Sequence, residues 1–151
     1  MTETTSQKSL ESLDVFVGEW SIATSLAPNP GDAPRARTTF EWLLGRRFLI
    51  QRWEVEHPEA PDGIAIIGFD AHKATLLQHY FDSRGLARVY EMTFADNVWT
   101  LQRFAAAPDF SQRFTGTFNK AGDTISGMWE ISRDGATWEH DFDFTYTRAG
   151  R

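Results

Sequence analysis

The chain of 151 residues carries a net charge of −6, which fits one domain and excludes a two-domain enzyme. It has no cysteine, which excludes disulfide bonds, thiolate metal sites and a cysteine nucleophile. Because the balance is acidic and no run of basic residues is longer than Arg46-Arg47, we expect no nucleic-acid partner.

The N-terminal region predicts a short helix behind a flexible tail. Leu10, Leu13 and Phe16 recur at helical spacing, so a helix is predicted over Ser9–Val17, with residues 1–8 as the tail. Residues 9–151 are then a single domain. No apolar segment approaches the roughly 18 residues of a membrane span, and no leader pattern is present, so we expect a cytoplasmic protein without a membrane partner.

Beyond Phe16 the sequence is typical of short strands separated by turns. Clusters of Gly, Pro, Asn and Asp mark nine turns, which separate ten segments rich in aromatic and β-branched residues. The chain holds 12 Phe, 6 Trp and 3 Tyr residues. We predict an all-β fold, a ten-stranded antiparallel up-and-down β-barrel with a short N-terminal helix, because closing the sheet removes its exposed edges. A β-sandwich is the alternative.

Period-two alternation predicts which side chains share the inner face of each strand. The last strand is the clearest case, and its apolar face carries Trp138, His140, Phe142, Phe144 and Tyr146. The same alternation groups other inner residues, namely Arg88, Tyr90, Met92 and Phe94, then Gln112, Phe114 and Phe118, and then Ile125, Trp129 and Ile131. It leaves open the facing of Gln51, Arg52, Gln78, His79 and Arg103.

A few polar groups inside an apolar barrel are typical of a small-molecule site. The predicted ligand-binding residues are Arg88, Tyr90, Gln112, Trp129 and His140. An inward Arg88 favours a ligand that carries a carboxylate or another anion, and an internal ion pair with an acidic residue is the alternative. No metal site is predicted, since the four histidines fall on separate segments.

Several segments together resemble a known group of barrels. They are Phe16-Val17-Gly18-Glu19-Trp20, the run from Trp42 to Leu49, the run from Gln78 to Gly85, Gln112-Arg113-Phe114-Thr115-Gly116, and Phe144-Thr145-Tyr146-Thr147-Arg148. The Gly-x-Trp opening is similar to that of calycin-type barrels, which include lipocalins and the fatty-acid-binding and nitrobindin-like proteins. Over residues 10–148 the chain resembles an uncharacterised bacterial family with a calycin-like barrel. This resemblance implies the barrel fold and no assigned activity.

The nitrobindin-like branch of that group implies one specific alternative. It holds haem through a histidine near the start of the last strand, and His140 lies in that neighbourhood. Matching Thr145–Arg148 to the closing segment of the branch places Asp141 at the ligand position instead, and a shift of one residue turns a side chain to the opposite face. Haem is therefore the alternative, and no cofactor is predicted.

Two further function classes remain open from the sequence. One is a small isomerase, cyclase or hydrolase that uses His140 or His79 as a base, the latter beside Asp82 or Asp70. The other is a barrel packed solid by its aromatic residues that acts through its surface.

A homodimer is the predicted assembly. Strands around residues 48–55 and 64–69 are apolar on both faces, so their outer surface needs a cover. A second copy of the chain would supply one.

Overall fold

The computed structural model describes residues 5–25, 35–57, 60–106 and 108–150. Two short helices precede ten strands. They are α1 Thr5–Glu11, a 3₁₀ helix Ser12–Phe16, β1 Gly18–Thr24, β2 Ala36–Leu43, β3 Phe48–Val55, β4 Gly63–Asp70, β5 Thr75–Asp82, β6 Ala87–Ala95, β7 Val98–Arg103, β8 Ser111–Phe118, β9 Thr124–Ser132 and β10 Glu139–Gly150.

The strands close into a barrel in sequence order. Each strand pairs antiparallel with the next along the chain, and β1 also pairs with β10. Tight turns make this possible; the β6–β7 turn has both Asp96 and Asn97 at positive φ, as the twist of a two-residue hairpin requires. The predicted ten-stranded antiparallel barrel is confirmed. No helix in the described part of the chain is long and apolar enough to span a membrane.

The N-terminal region differs in detail from the prediction. The helix starts at Thr5, so residues 5–8, expected as a flexible tail, are helical, whereas residues 1–4 lie outside the described residues. The predicted helix over Ser9–Val17 divides into the end of α1 and the 3₁₀ helix. Because side chains three apart eclipse in a 3₁₀ helix, Leu13 and Phe16 point the same way, and both are fully buried.

The 3₁₀ helix fills one mouth of the barrel, which we call the plugged mouth. The odd-numbered strands begin at this mouth and the even-numbered strands end there. The Phe16 ring lies 5.0–5.2 Å from the rings of four inward residues. These are Phe40, Phe94, Trp99 and Phe118. At this end of the barrel, aromatic residues therefore form the hydrophobic core.

The opposite mouth, called here the far mouth, has a different interior. Trp53, Tyr80, Trp129, Phe142 and Phe144 point inward by alternation, yet each is only half-buried. Their counterparts deeper in the barrel, such as Trp20, Phe40 and Phe114, are at most 1% exposed. Solvent therefore reaches the inward rings at the far mouth. Residues 26–34, 58–59 and 107 lie outside the described residues.

Candidate functional site

Three strands bring a polar cluster together at the far mouth. The Tyr90 hydroxyl donates a hydrogen bond to Gln112 Oε1 over 2.8 Å, Arg88 Nη1 donates to the same oxygen over 3.2 Å, and Arg103 Nε over 3.3 Å. The register explains the convergence, because Arg103 in β7 pairs with Gln112 in β8, while Arg88 and Tyr90 lie two apart on the inner face of β6. One amide oxygen thus orients three donors toward the lumen.

The two arginines of the cluster differ in how their charge is balanced. Arg103 is 12% exposed and forms an ion pair with Asp109 over 3.0 Å, and it also donates to the Phe110 carbonyl over 2.9 Å. The pKa of the Asp109 carboxyl is lowered by its hydrogen bonds with Arg103. No carboxylate of the described residues lies within 4.0 Å of the Arg88 guanidinium. The cluster therefore carries one excess positive charge.

Aromatic rings surround this cluster. Arg88 and Arg103 lie 5.5 and 5.7 Å from the centroid of the Phe110 ring. Tyr90 meets Trp129 edge to face at 5.8 Å, and Trp53 stacks on Tyr80 at 5.3 Å. Such rings contribute large apolar contact area around a few fixed polar groups, which is the composition of ligand sites.

A second polar group holds one side of the far mouth. The Tyr80 hydroxyl donates to Asp82 Oδ2 over 2.6 Å, and Arg84 Nη2 donates to the same oxygen over 2.7 Å. The hydrogen bond from Arg84 is the main reason that the pKa of Asp82 is well below its ordinary value. Burial, and then the neighbouring Asp82, raise the pKa of Tyr80, so the phenol stays protonated and remains a donor.

His140 does not lie where alternation predicts, and that prediction is wrong. A β-bulge between His140 and Phe142 breaks the period of β10, so that Phe142 faces inward and His140 does not. The His140 side chain is 52% exposed, and its Nε2 lies 2.8 Å from Asp143 Oδ1. On the outer face it pairs in register with Glu130, whose carboxylate binds Arg113 over 2.7 Å.

The lumen offers no histidine to haem or to a substrate. All four histidines of the chain are exposed, His79 on the outer face of β5 and His57 and His72 in connections between strands. A histidine-ligated haem in the barrel therefore does not fit these residues. An isomerase, cyclase or hydrolase with an inward histidine does not fit them either. No cluster of His, Cys, Asp and Glu among the described residues could hold a metal ion.

A separate groove of about 420 Å³ lies outside the barrel over β1, β2 and β3. Its central cation, Arg37, lies 3.1 Å from Glu54 and 3.9 Å from Glu19, and its side chain is 64% exposed. Arg37 is therefore already paired with carboxylates and solvated, and the groove carries an excess of glutamates over arginines. The far mouth is therefore the stronger site, since no carboxylate of the described residues lies within 4.0 Å of its Arg88 guanidinium.

Comparison with known proteins identifies the family. The family model described as "Protein of unknown function (DUF1579)" matches residues 5–148. The chain belongs to this family. The DUF1579 chain is similar to the solved structure titled "Crystal Structure of Rv2717c from M. tuberculosis", with a TM-score of 0.62 and 12% identity over 93% of this chain and 96% of that one. At this identity the likeness shows the barrel fold alone. None of the curated proteins matches the DUF1579 chain.

Two of the segments that carry the sequence resemblance hold the plug of the DUF1579 barrel in place. Arg148 lies 4.1 Å from the centroid of the Trp20 ring, and its Nη1 and Nη2 donate to the carbonyls of Val17 and Val15 over 2.8 and 2.6 Å. The Trp20 indole donates to the Phe16 carbonyl over 2.9 Å. The Gly-x-Trp opening and the closing arginine are therefore structural.

Four of the five site residues predicted from alternation lie together at the far mouth, namely Arg88, Tyr90, Gln112 and Trp129. Of the residues whose facing was open, Gln51 and Gln78 are buried in the lumen, Arg52 and His79 lie outside, and Arg103 joins the cluster. Sequence reasoning missed Trp53 and Tyr80. Trp53 and Tyr80 lie two residues after Gln51 and Gln78, so each pair shares one face of its strand. The sequence alone does not say which face of these two strands points inward.

Proposed function

We propose that the protein binds a small anionic ligand with an apolar body in the far mouth of the barrel, and that Arg88 contacts the anion. The observation that carries the proposal is the charge balance of the cluster. Arg88 is partly buried beside Arg103 and the Tyr90 hydroxyl, and its polar neighbours Gln112 and Tyr90 are both neutral side chains. A buried guanidinium gains most from a carboxylate, sulfonate or phosphate.

The surroundings of Arg88 support binding rather than a reaction. The half-buried rings of Trp129, Phe142 and Phe144 supply an apolar wall that a ligand would cover. All four histidines are exposed, and none of them forms a hydrogen bond that joins the cluster. The resemblance to calycin-type barrels, many of which bind apolar ligands, agrees with this proposal.

Fluorescence titration with a matched pair of dyes tests the role of the anion. Anilinonaphthalenesulfonate carries a sulfonate, and N-phenylnaphthylamine is its neutral counterpart of similar shape. We expect the wild-type protein to bind the sulfonate and Arg88→Gln to weaken that binding by roughly tenfold or more, since a hydrogen bond to a charged group contributes about 1.5–3 kcal/mol. Arg88→Lys keeps the charge and is expected to retain part of the affinity.

Arg37→Gln is the matched control, because it removes an arginine from the outer groove at the same net charge. Its sulfonate affinity should equal that of the wild type. Equal affinity of wild type and Arg88→Gln, with both folded, would show that Arg88 does not hold an anion. Native mass spectrometry of the freshly purified protein would identify a copurifying ligand, and the same variant should lose it.

The cellular setting belongs to the same proposal. A cytoplasmic protein would meet its ligand among small metabolic anions, and fractionation of cells that express the chain tests the location.

The homodimer predicted through residues 48–55 and 64–69 leaves the far mouth free, because the outer faces of these strands point away from the lumen.

A further inference from the structure

Trp53 and Tyr80 form a pair of nearly parallel rings in the far mouth, which we call the aromatic platform. Their centroids lie 5.3 Å apart with 28° between the ring planes. The contacts that Tyr90 makes with Tyr80 and Trp129 are edge to face, at 74° and 66°. Both platform rings are half-buried, so each leaves part of its surface uncovered for contact with a further ring.

Gly63 fixes the position of the Trp53 ring. The two residues pair in register between β3 and β4, and a Cβ built on Gly63 would lie 2.2 Å from Trp53 Cζ2. The absence of a side chain at Gly63 lets the indole lie across β4 and reach Tyr80 on β5. The platform is therefore specified by the sequence and is not a chance contact between two mobile rings.

Asp82 fixes the other ring. Its side chain is fully buried, accepts the hydrogen bond from the Tyr80 hydroxyl, and is itself held by Arg84 through Nε and Nη2. Both rings are thus oriented before any ligand arrives, which reduces the entropy that binding must offset.

The platform lies next to the cationic group. Tyr80 pairs directly in register with Arg88, and both side chains are on the inner face of the barrel. Directly opposed residues on antiparallel strands have Cβ atoms about 5 Å apart. A flat ring on the platform with an anion on its edge would bring that anion toward the Arg88 guanidinium.

We infer that the far mouth selects planar aromatic anions over aliphatic anions of similar size, with Trp53 and Tyr80 as the residues that determine this selectivity. The inference rests on the proposed function and names the class of ligand.

Calorimetric titration with naphthoate and decanoate tests it, because the two acids share the carboxylate and a similar carbon count and differ in planarity. We expect naphthoate to bind the wild type about five- to tenfold tighter, as aromatic stacking adds to area burial. Trp53→Leu should reduce this preference to less than about twofold while decanoate affinity changes little.

Two glycine variants on one strand provide the positional control. Gly63→Ala displaces the Trp53 ring and should also reduce the preference. Gly68→Ala introduces the same methyl group against the Phe48 ring at 2.7 Å on the outer face, and should leave the preference unchanged. Because a Cβ at Gly63 also approaches the Phe81 carbonyl at 2.6 Å, Trp53→Leu is the deciding variant if Gly63→Ala unfolds.

The outcomes separate the two proposals. Equal affinities for both acids, each lost in Arg88→Gln, would overturn the platform and leave the anion site standing. A naphthoate preference that survives Trp53→Leu would also overturn the platform. Naphthoate binding that depends on Trp53 and not on Arg88 would overturn the anion site instead, and no binding of either acid would overturn both.

Discussion

Gln78 shows how a single residue in the lumen departs from the usual pairing of buried polar groups. It is 4% exposed, faces the interior beside Tyr90, and its Oε1 has no hydrogen-bond partner among the described residues. A buried polar atom without a partner costs about 1–3 kcal/mol of folding free energy.

Replacing Gln78 with methionine is therefore expected to stabilise the protein by about 1 kcal/mol, because the side chain keeps its length and loses the unpaired oxygen. Urea unfolding monitored by tryptophan fluorescence measures the change. Gln51→Met is the matched comparison and should destabilise, since Gln51 is also buried but hydrogen-bonds the Tyr146 hydroxyl. A loss of stability in Gln78→Met equal to that in Gln51→Met would show that the Gln78 amide is paired.

Arg148 is the residue that joins the plug to the barrel. Its guanidinium donates to the carbonyls of Val15, Val17 and Gly122 and lies over the Trp20 ring. Arg148→Met is expected to lower the free energy of unfolding by about 2–4 kcal/mol, since several carbonyls lose a charged donor.

Arg113→Met is the control for Arg148→Met in the same unfolding experiments. Arg113 also lies over a tryptophan, Trp138, at 4.3 Å, but its ion pair with Glu130 is on the outer face. Because Glu130 is 16% exposed and loses its charged partner, the loss should cost about 1–2 kcal/mol, less than the loss of Arg148. Equal losses in the two variants would contradict the role given to Arg148.

At the scale of single strands, alternation predicts facing well wherever a strand is regular. Phe142, Phe144 and Tyr146 face the lumen as the pattern of β10 indicates. The same pattern fails at His140, since one extra residue in the bulge reverses the facing of everything before it. A bulge leaves no signal in a hydrophobic pattern, because Trp138 and His140 continue the alternation on paper.

The N-terminal helical segment shows a second limit of prediction from sequence pattern. Helical spacing finds Leu13 and Phe16 as buried positions, but it does not distinguish an α-helix from a 3₁₀ helix over so few residues. The choice is made by packing, because the Phe16 ring fits between four rings of the barrel.

For the whole molecule, regular turns were enough to predict ten antiparallel strands and a closed barrel, and both are confirmed. The members of the far-mouth cluster could be predicted only in part. Arg103 and Gln112 meet through the register of β7 and β8, and Trp53 reaches Tyr80 across Gly63, so both contacts depend on alignment between strands. A single sequence indicates which residues share a face of a strand, but it does not give the register between neighbouring strands.

The outer surface of the barrel has exposed apolar residues, and the predicted homodimer depends on them. Phe48, Phe81 and Val89 are 38%, 41% and 48% exposed on neighbouring strands, next to the half-buried Ile64 and Ile66. We expect light scattering to give twice the 17.2 kDa chain mass, and Phe48→Glu, within the predicted interface of residues 48–55 and 64–69, to give the single mass, since a charge in an apolar interface is left unpaired. A single mass for the wild type at tens of micromolar would contradict the homodimer.

The pairing of β1 with β10, which closes the barrel, is the seam of the sheet and joins its first strand to its last. Each of the other pairings joins strands that follow one another along the described chain, whereas β1 and β10 bring together Ser21 and Thr147, 126 positions apart. The entropy of closing so long a loop falls on this one step, while each hairpin closes a short one. Arg148 extends from β10, beside this seam, to the carbonyls of Val15 and Val17, so the last strand is also tied to the segment that precedes the first.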